Sequence, residues 1–271
     1  MPSIFHPTDL TGDREQAFLI ALRLAVSAHA VLTVMHVADN EEDADMGELP
    51  GVRSTLARWG LIAHAEDMEG FGALRMGVRK VVREGRRPVQ ACLDHLDRHP
   101  ADLIVLSTNQ GQGLLKRKVA EPLSRSAGAP TLFVPKDASG LVDPRTGEVR
   151  MRKLLVPVDR KPDPRRAVEA AMRLAEVLGL SGAHFTLLHV GSASDAPRID
   201  VNMRDGWTFD RMEREGDVVG TIVRTAREID ADAVVMTTDG RDGFLDALRG
   251  STTERVLREV HCPVLAVPAE G

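Results

Sequence analysis

The sequence predicts an α/β protein made of two tandem doubly wound domains, each a five-stranded parallel sheet flanked by helices. Three observations predict this. Strand-like apolar runs alternate with helical patterns along both halves of the 271-residue chain, the order that builds parallel sheets with helices on both faces. Short motifs of the first half return in the second half in the same order. The apolar residues, 43% of the chain, are almost all aliphatic, with 3% aromatics and no Tyr, which suits helices packed on buried parallel strands.

The repeat is read from five pairs. Pro7-Thr8-Asp9 returns as Pro157-Val158-Asp159, and His36-Val37 as His189-Val190. Arg83-Glu84-Gly85 returns as Arg214-Glu215-Gly216, and Ala101-Asp102 as Ala231-Asp232. The run from Pro130 to Pro135 returns as Pro263 to Pro268. Domains over residues 1–136 and 151–271 follow. The intervening 136–150, with Gly140, Pro144 and Gly147, reads as a linker.

In the second half, 154–158 reads as a buried strand. Asp163 is a good N-cap and Pro164 fits the first helical position. Ala167, Ala170, Ala171, Leu174, Val177 and Leu178 recur at helical spacing, and Gly179 ends the helix. Residues 184–190 and 207–212 read as strands, 218–229 as a helix, 233–237 as a strand, 252–260 as a helix and 264–267 as the last strand. The first half gives the same series: strands over 3–7, 31–37, 74–83, 103–107 and 131–134, with helices over 14–28, 88–97 and 119–126. Between its second and third strands it inserts an acidic run, Asp39, Glu41, Glu42, Asp43 and Asp45, then a helical pattern with Leu56, Trp59 and Ile62. The run reads as a solvated loop. The second half has only 191–206 there, too short for a full helix and two loops.

The net charge of -5 argues against a nucleic-acid partner. No apolar run approaches the ~18 residues of a membrane span, and no leader pattern opens the chain. A cytoplasmic protein is expected, with Cys92 and Cys262 as buried reduced thiols. His95 and His99 are expected to face solvent, and His36 and His189 to make structural hydrogen bonds. P-loop, HExxH and GxSxG motifs are all absent.

Ligands of open parallel sheets sit beyond the carboxyl ends of the strands. Two segments of the second half reach that edge: Pro157-Val158-Asp159, and Met236 through Gly240 with Gly250 and its following hydroxyls. Gly240 and Gly250 permit close backbone approach. Ser251-x-x-Glu254 is a capping box opening the last helix. Free amides, the positive end of the helix dipole and the hydroxyls of Ser251, Thr252 and Thr253 make an anion cradle.

An Asp ending strand one, with G-x-x-G, nine residues and G-[ST] after strand four, resembles the nucleotide signature of universal stress proteins. The resemblance covers nearly the whole chain, once per half. It implies ATP, or AMP or ADP, over the strand ends, and pairing of five-stranded sheets within one chain. Pro157, Val158 and Asp159 would match the adenosine end, with Val190 beside the adenine and Met236 before the glycine motif. Gly240, Gly250, Ser251, Thr252 and Thr253 would match the ribose- and phosphate-contacting loop and helix start. Thr237 replaces the first glycine, which costs most where that backbone needs positive φ. Asp159 or Asp239 could hold Mg²⁺. The first half is degenerate: Gln110 stands for Gly240, Arg117-Lys118 for Gly250-Ser251, and Asp9 alone remains.

The expected function is a stress-response regulator that binds an adenine nucleotide in its second half, with residues 241–249 responding to occupancy toward an unknown protein partner. No catalytic residue is assigned. The alternatives are an interaction module of the same fold without nucleotide, or a slow ATPase. A homodimer through outer strand edges is a further expectation.

Overall fold

The computed structural model describes residues 1–8, 10, 15–39, 46–108, 128–135, 138, 140–201, 204–238 and 252–269. Among them, the first half contributes strands β1 (Ser3–Thr8), β2 (Val31–Ala38), β3 (Gly77–Glu84), β4 (Leu103–Thr108) and β5 (Thr131–Pro135). The second contributes β6 (Lys153–Pro157), β7 (His184–Val190), β8 (Thr208–Arg214), β9 (Ala233–Thr238) and β10 (Val264–Pro268). The helices are α1 (Glu15–Ser27), α2 (Val52–Arg58), α3 (Met68–Ala73), α4 (Pro88–Arg98), α5 (Pro164–Val177), α6 (Val218–Glu228) and α7 (Thr252–Glu259).

The ten strands form one continuous sheet in the order β3-β2-β1-β4-β5-β10-β9-β6-β7-β8. All pairs within each half are parallel. The halves meet at β5 and β10, which pair antiparallel with Leu132 opposite Leu265. The α/β class and the parallel five-strand order of each half are as the sequence predicts. The chain does not leave the two sheets apart; it fuses them edge to edge.

Alternation along the strands sends side chains to two faces. On one, α1, α2 and α5 cover a single cluster that runs through both halves, including Leu132, Val134, Leu265 and Val267. On the other, α4 covers Phe5, Met35 and Phe133, while α6 and α7 cover Leu155, Leu188, Val234 and Met236. The outermost strands are charged: β3 carries Arg79, Lys80 and Arg83, and β8 carries Asp210, Arg211, Glu213 and Arg214. Such edges discourage pairing with another sheet.

Local chemistry explains the helix ends. Asp163 accepts from the Arg165 amide at 3.0 Å, with Pro164 at the first helical position. Gly179 closes the same helix at φ +66°. Asp217 caps α6 by accepting from the Gly220 amide at 2.8 Å.

The insertion of the first half holds α2 and the short α3, which the sequence pattern did not announce; Leu56 in α2 and Trp59 and Ile62 just after it are all buried. In the second half, among the described residues, the turn Ala193–Asp195 is found there. The expected strand over 74–83 starts later, at Gly77, because Arg75 turns through φ +53°. The expected helix over 119–126 and the acidic residues 41–45 lie outside the described residues.

The expected linker is ordered over 140–150. Val142 bridges Val149 in a hairpin, and Leu141 and Val142 are buried in the shared cluster. The Asp143 carboxylate accepts from the amides of Arg145 and Thr146 and from Arg150 at 2.7 Å. Those bonds, the Arg145 amide first, hold its pKa below the usual carboxylate range. The hairpin docks on Trp59, whose Nε1 donates to the Pro144 carbonyl at 3.3 Å. Gly147 lies against the indole at φ +68°, where an added Cβ would sit 2.5 Å from Trp59 Cδ2. We expect Gly147→Ala to lower unfolding stability by about 2 kcal/mol, through left-handed strain and overpacking. Chemical denaturation reads this, and an unchanged midpoint would show the hairpin to be undocked.

Candidate functional site

At the carboxyl edge of the second half, β6 ends at Pro157 and the chain turns out through Val158 and Asp159. Val158 is buried, and its amide donates to the Leu188 carbonyl at 2.8 Å. Its own carbonyl accepts from His189 Nδ1 at 3.2 Å. In the first half His36 Nδ1 donates to the Thr8 carbonyl at 2.9 Å. Both histidines therefore do the same structural work, tying the turn after one strand to the end of its neighbour. Asp159 is exposed, accepts from the Arg160 amide at 2.7 Å and lies 4.0 Å from His189 Nδ1.

Arg160 adds a clamp that sequence reasoning missed. Its guanidinium donates to the carbonyls of Asp195 at 2.9 Å and Ser194 at 3.1 Å, and pairs with the Asp195 carboxylate at 3.4 Å. The loop after β6 is thus fastened to the turn after β7. The two lie far apart in sequence, so no local signal marks the contact.

The expected site residues divide between the two faces of the sheet. Met236 is buried in the cluster under α6 and α7, and Val190 packs against it. Alternation from Leu155 puts Pro157 on the same side. Val158 belongs to the opposite cluster. Thr237 also points to the α5 side, where its hydroxyl donates to the Asp163 carbonyl at 3.3 Å. Thr237 lies within β9 opposite Val267, and it is not among the positive-φ residues. The backbone there asks for no glycine, so the threonine carries no conformational strain.

Since β9 and β10 are parallel neighbours, the intervening α7 must run back across the sheet, with its N-terminus at the carboxyl edge. Arg255 in its first turns reaches Asp217, the cap of α6, at 3.8 Å, which puts both helix starts at that edge. Thr252 opens α7 and is exposed. Thr253 and Glu254 are buried, and Glu254 is ion-paired with Arg258. Asp239, Gly240, Gly250 and Ser251 lie outside the described residues, as do 241–249 and the first-half positions Asp9, Gln110, Lys116, Arg117 and Lys118.

The model of the Universal stress protein family matches residues 2–135 and 204–268. The chain belongs to the universal stress protein family. A relative, Universal stress protein Sll1654 of Synechocystis, is 28% identical over 142 residues, covering 45% of this chain and 88% of its own. A universal stress protein from Archaeoglobus fulgidus shares the fold with a TM-score of 0.62 at 16% identity, over 98% of both chains. A Pseudomonas aeruginosa protein described as functionally unknown, PA1789, gives 0.63 at 16% identity, over 99% of this chain and 92% of that one.

In this universal stress protein no described helix is long and apolar enough to cross a membrane. Among the described residues no group of three or more His, Cys, Asp and Glu could hold a metal ion. Both cysteines are free thiols, and burial pushes each pKa up to about 12, which leaves them unreactive.

The expectation for His95 is corrected. It lies on the same face of α4 as Cys92, is buried, and stacks on Phe5 at 5.6 Å between centroids. Its partner His99 stays exposed. Burial first, then the charges of His99, Arg79, Arg83 and Arg98, lower the His95 pKa to about 4. The unfolded chain takes up this proton near pH ~6.5, whereas the folded chain resists it until about 4. Stability therefore falls as the pH drops through that window. Denaturation midpoints measured across it should show a shallower decline in His95→Gln than in the parent. Equal slopes would contradict the assignment.

Proposed function

We propose that this universal stress protein is a regulator that binds an adenine nucleotide at the carboxyl edge of its second half. The observation that carries the reading is a shared side. Pro157, Val190 and Met236 lie on the sheet face covered by α7, and α7 starts at the same edge. Apolar side chains for a base and helix-start amides for phosphates then meet in one place. ATP is the preferred ligand, with ADP or AMP as shorter versions. Asp159, exposed at the strand end, could hold Mg²⁺ from the adenosine side. Gly240, Gly250 and Ser251 would complete the cradle, with Thr252 and Thr253 at its helical side.

The chain divides, in this reading, into units over 1–136 and 151–271, and only the second keeps the motif. The role is occupancy sensing rather than turnover, in a cytoplasmic setting with a protein partner. The P-loop pattern GxxxxGK[ST] does not occur in the sequence, and the reading assigns no catalytic residue.

Calorimetry of the full chain with ATP, ADP and AMP tests the proposal. One nucleotide per chain is expected, with affinity falling as phosphates are removed. Gly250→Val should weaken ATP by tenfold or more, since a β-branched side chain would block the approach. Absence of binding by the parent leaves an interaction module of this fold. Phosphate release above that of the variant would make the protein an enzyme.

A further inference from the structure

The first-half insertion encloses a cleft of about 530 Å³ between α2, α3 and β3, within the ~300–1,000 Å³ range of small-molecule sites. Its walls are mainly apolar: Val52, Phe71 and Val78, with Met46 and Met68 at the mouth. Those two methionines are 49% and 63% exposed, and they are two of the four exposed large apolar side chains among the described residues. Exposed apolar side chains grouped at one opening mark a binding surface more often than scattered ones do.

Two cations face this apolar space. Lys80 shares the core-facing side of β3 with Val78 and Val82, where the neighbouring strand places Leu32 and Val34. Its ammonium donates to the Leu49 carbonyl at 3.3 Å. Burial, and then the charge of Arg53, lower its pKa below the ordinary lysine value. Arg53 donates to the Met68 sulfur at 2.9 Å, and a thioether is a weak acceptor. Glu66 also lines the cleft, but its side chain is 83% exposed and pairs with His64 at 3.5 Å.

The corresponding place in the second half is smaller. Arg211 holds the strand position equivalent to Lys80 and donates to the Ile199 carbonyl at 2.6 Å. The space beneath is about 170 Å³. A cation at this strand position therefore holds down the crossover segment in both halves. The second-half space is lined by two arginines, Arg198 and Arg211, so what sets the first half apart among the described residues is the larger volume and the exposed Met46 and Met68.

We propose that the cleft between α2, α3 and β3 binds a small amphipathic carboxylate. Its acyl chain lies on Val52, Phe71 and Val78, and its carboxylate is directed to Arg53 and Lys80. The anion would add a charged partner to the neutral Leu49 carbonyl and Met68 sulfur that the two cations meet, and the chain would cover Met46 and Met68. This site is separate from the second-half edge and independent of nucleotide.

The test is titration of the full chain with decanoate, decanol and acetate, read by calorimetry and by the methyl resonances of Met46 and Met68. Decanoate should saturate at one per chain and shift both methyl signals. Decanol should bind about tenfold more weakly, for want of charge-assisted bonds, and acetate should not saturate. Arg53→Gln and Lys80→Met should each bring decanoate down toward the decanol level while leaving decanol unchanged. Should Lys80→Met lose both ligands, the cleft has collapsed in that variant, and Arg53→Gln, whose changed side chain is exposed, decides alone. Equal binding of decanoate and decanol, non-saturating binding, or full decanoate affinity in Arg53→Gln would overturn the proposal.

Discussion

The antiparallel pairing of β5 with β10 is the contact on which the rest of the architecture depends. Each half ends on an apolar strand whose residues are all buried. Left alone, either strand would be an open, hydrophobic sheet edge, which is an aggregation hazard. Pairing Leu132 with Leu265 removes both edges at once. It also lets α1 and α5 lie over one uninterrupted core. What remains at the rims of the sheet is β3 and β8, whose charged side chains suit water.

This junction has a directional consequence. The strands of each half are parallel, so antiparallel contact at the centre makes the two carboxyl edges face opposite ways. A ligand at one edge does not approach the other. The halves can therefore carry different chemistry on a shared frame, which fits the loss of the glycine and hydroxyl positions in the first half. The crossover after the second strand diverges in the same way. In the second half Arg160 and Arg211 hold it down as a short closed segment. In the first it expands into α2 and α3, and the hairpin beyond β5 docks on its Trp59.

Much of this was legible because short-range chemistry decides it. The strands are apolar runs, and Asp163, Pro164 and Gly179 state the limits of α5 locally. Thr237 was legible as a departure but not in its effect, since only the strand context shows that its backbone has an ordinary φ. The hairpin looked like a linker because Gly140, Pro144 and Gly147 are turn formers. What orders it is an indole far away in sequence, and no periodicity reports that. His95 is hard to read for a related reason: its position one helical turn after Cys92 signals burial, but the polar side chain masks that signal. At the site, Val190 and Met236 fall on one face as alternation requires, whereas the Arg160 clamp joins two loops with no shared pattern.

The central claim is that the carboxyl edge of the second half, and not that of the first, receives a nucleotide. Hydrogen–deuterium exchange of the intact chain with and without ATP tests it most directly. The account predicts slowed exchange in peptides spanning Pro157 to Arg160, the end of β7, and Met236 through the start of α7, with peptides after β1 and β4 unchanged. Protection confined to the first half, or none anywhere at saturating ATP, would contradict it.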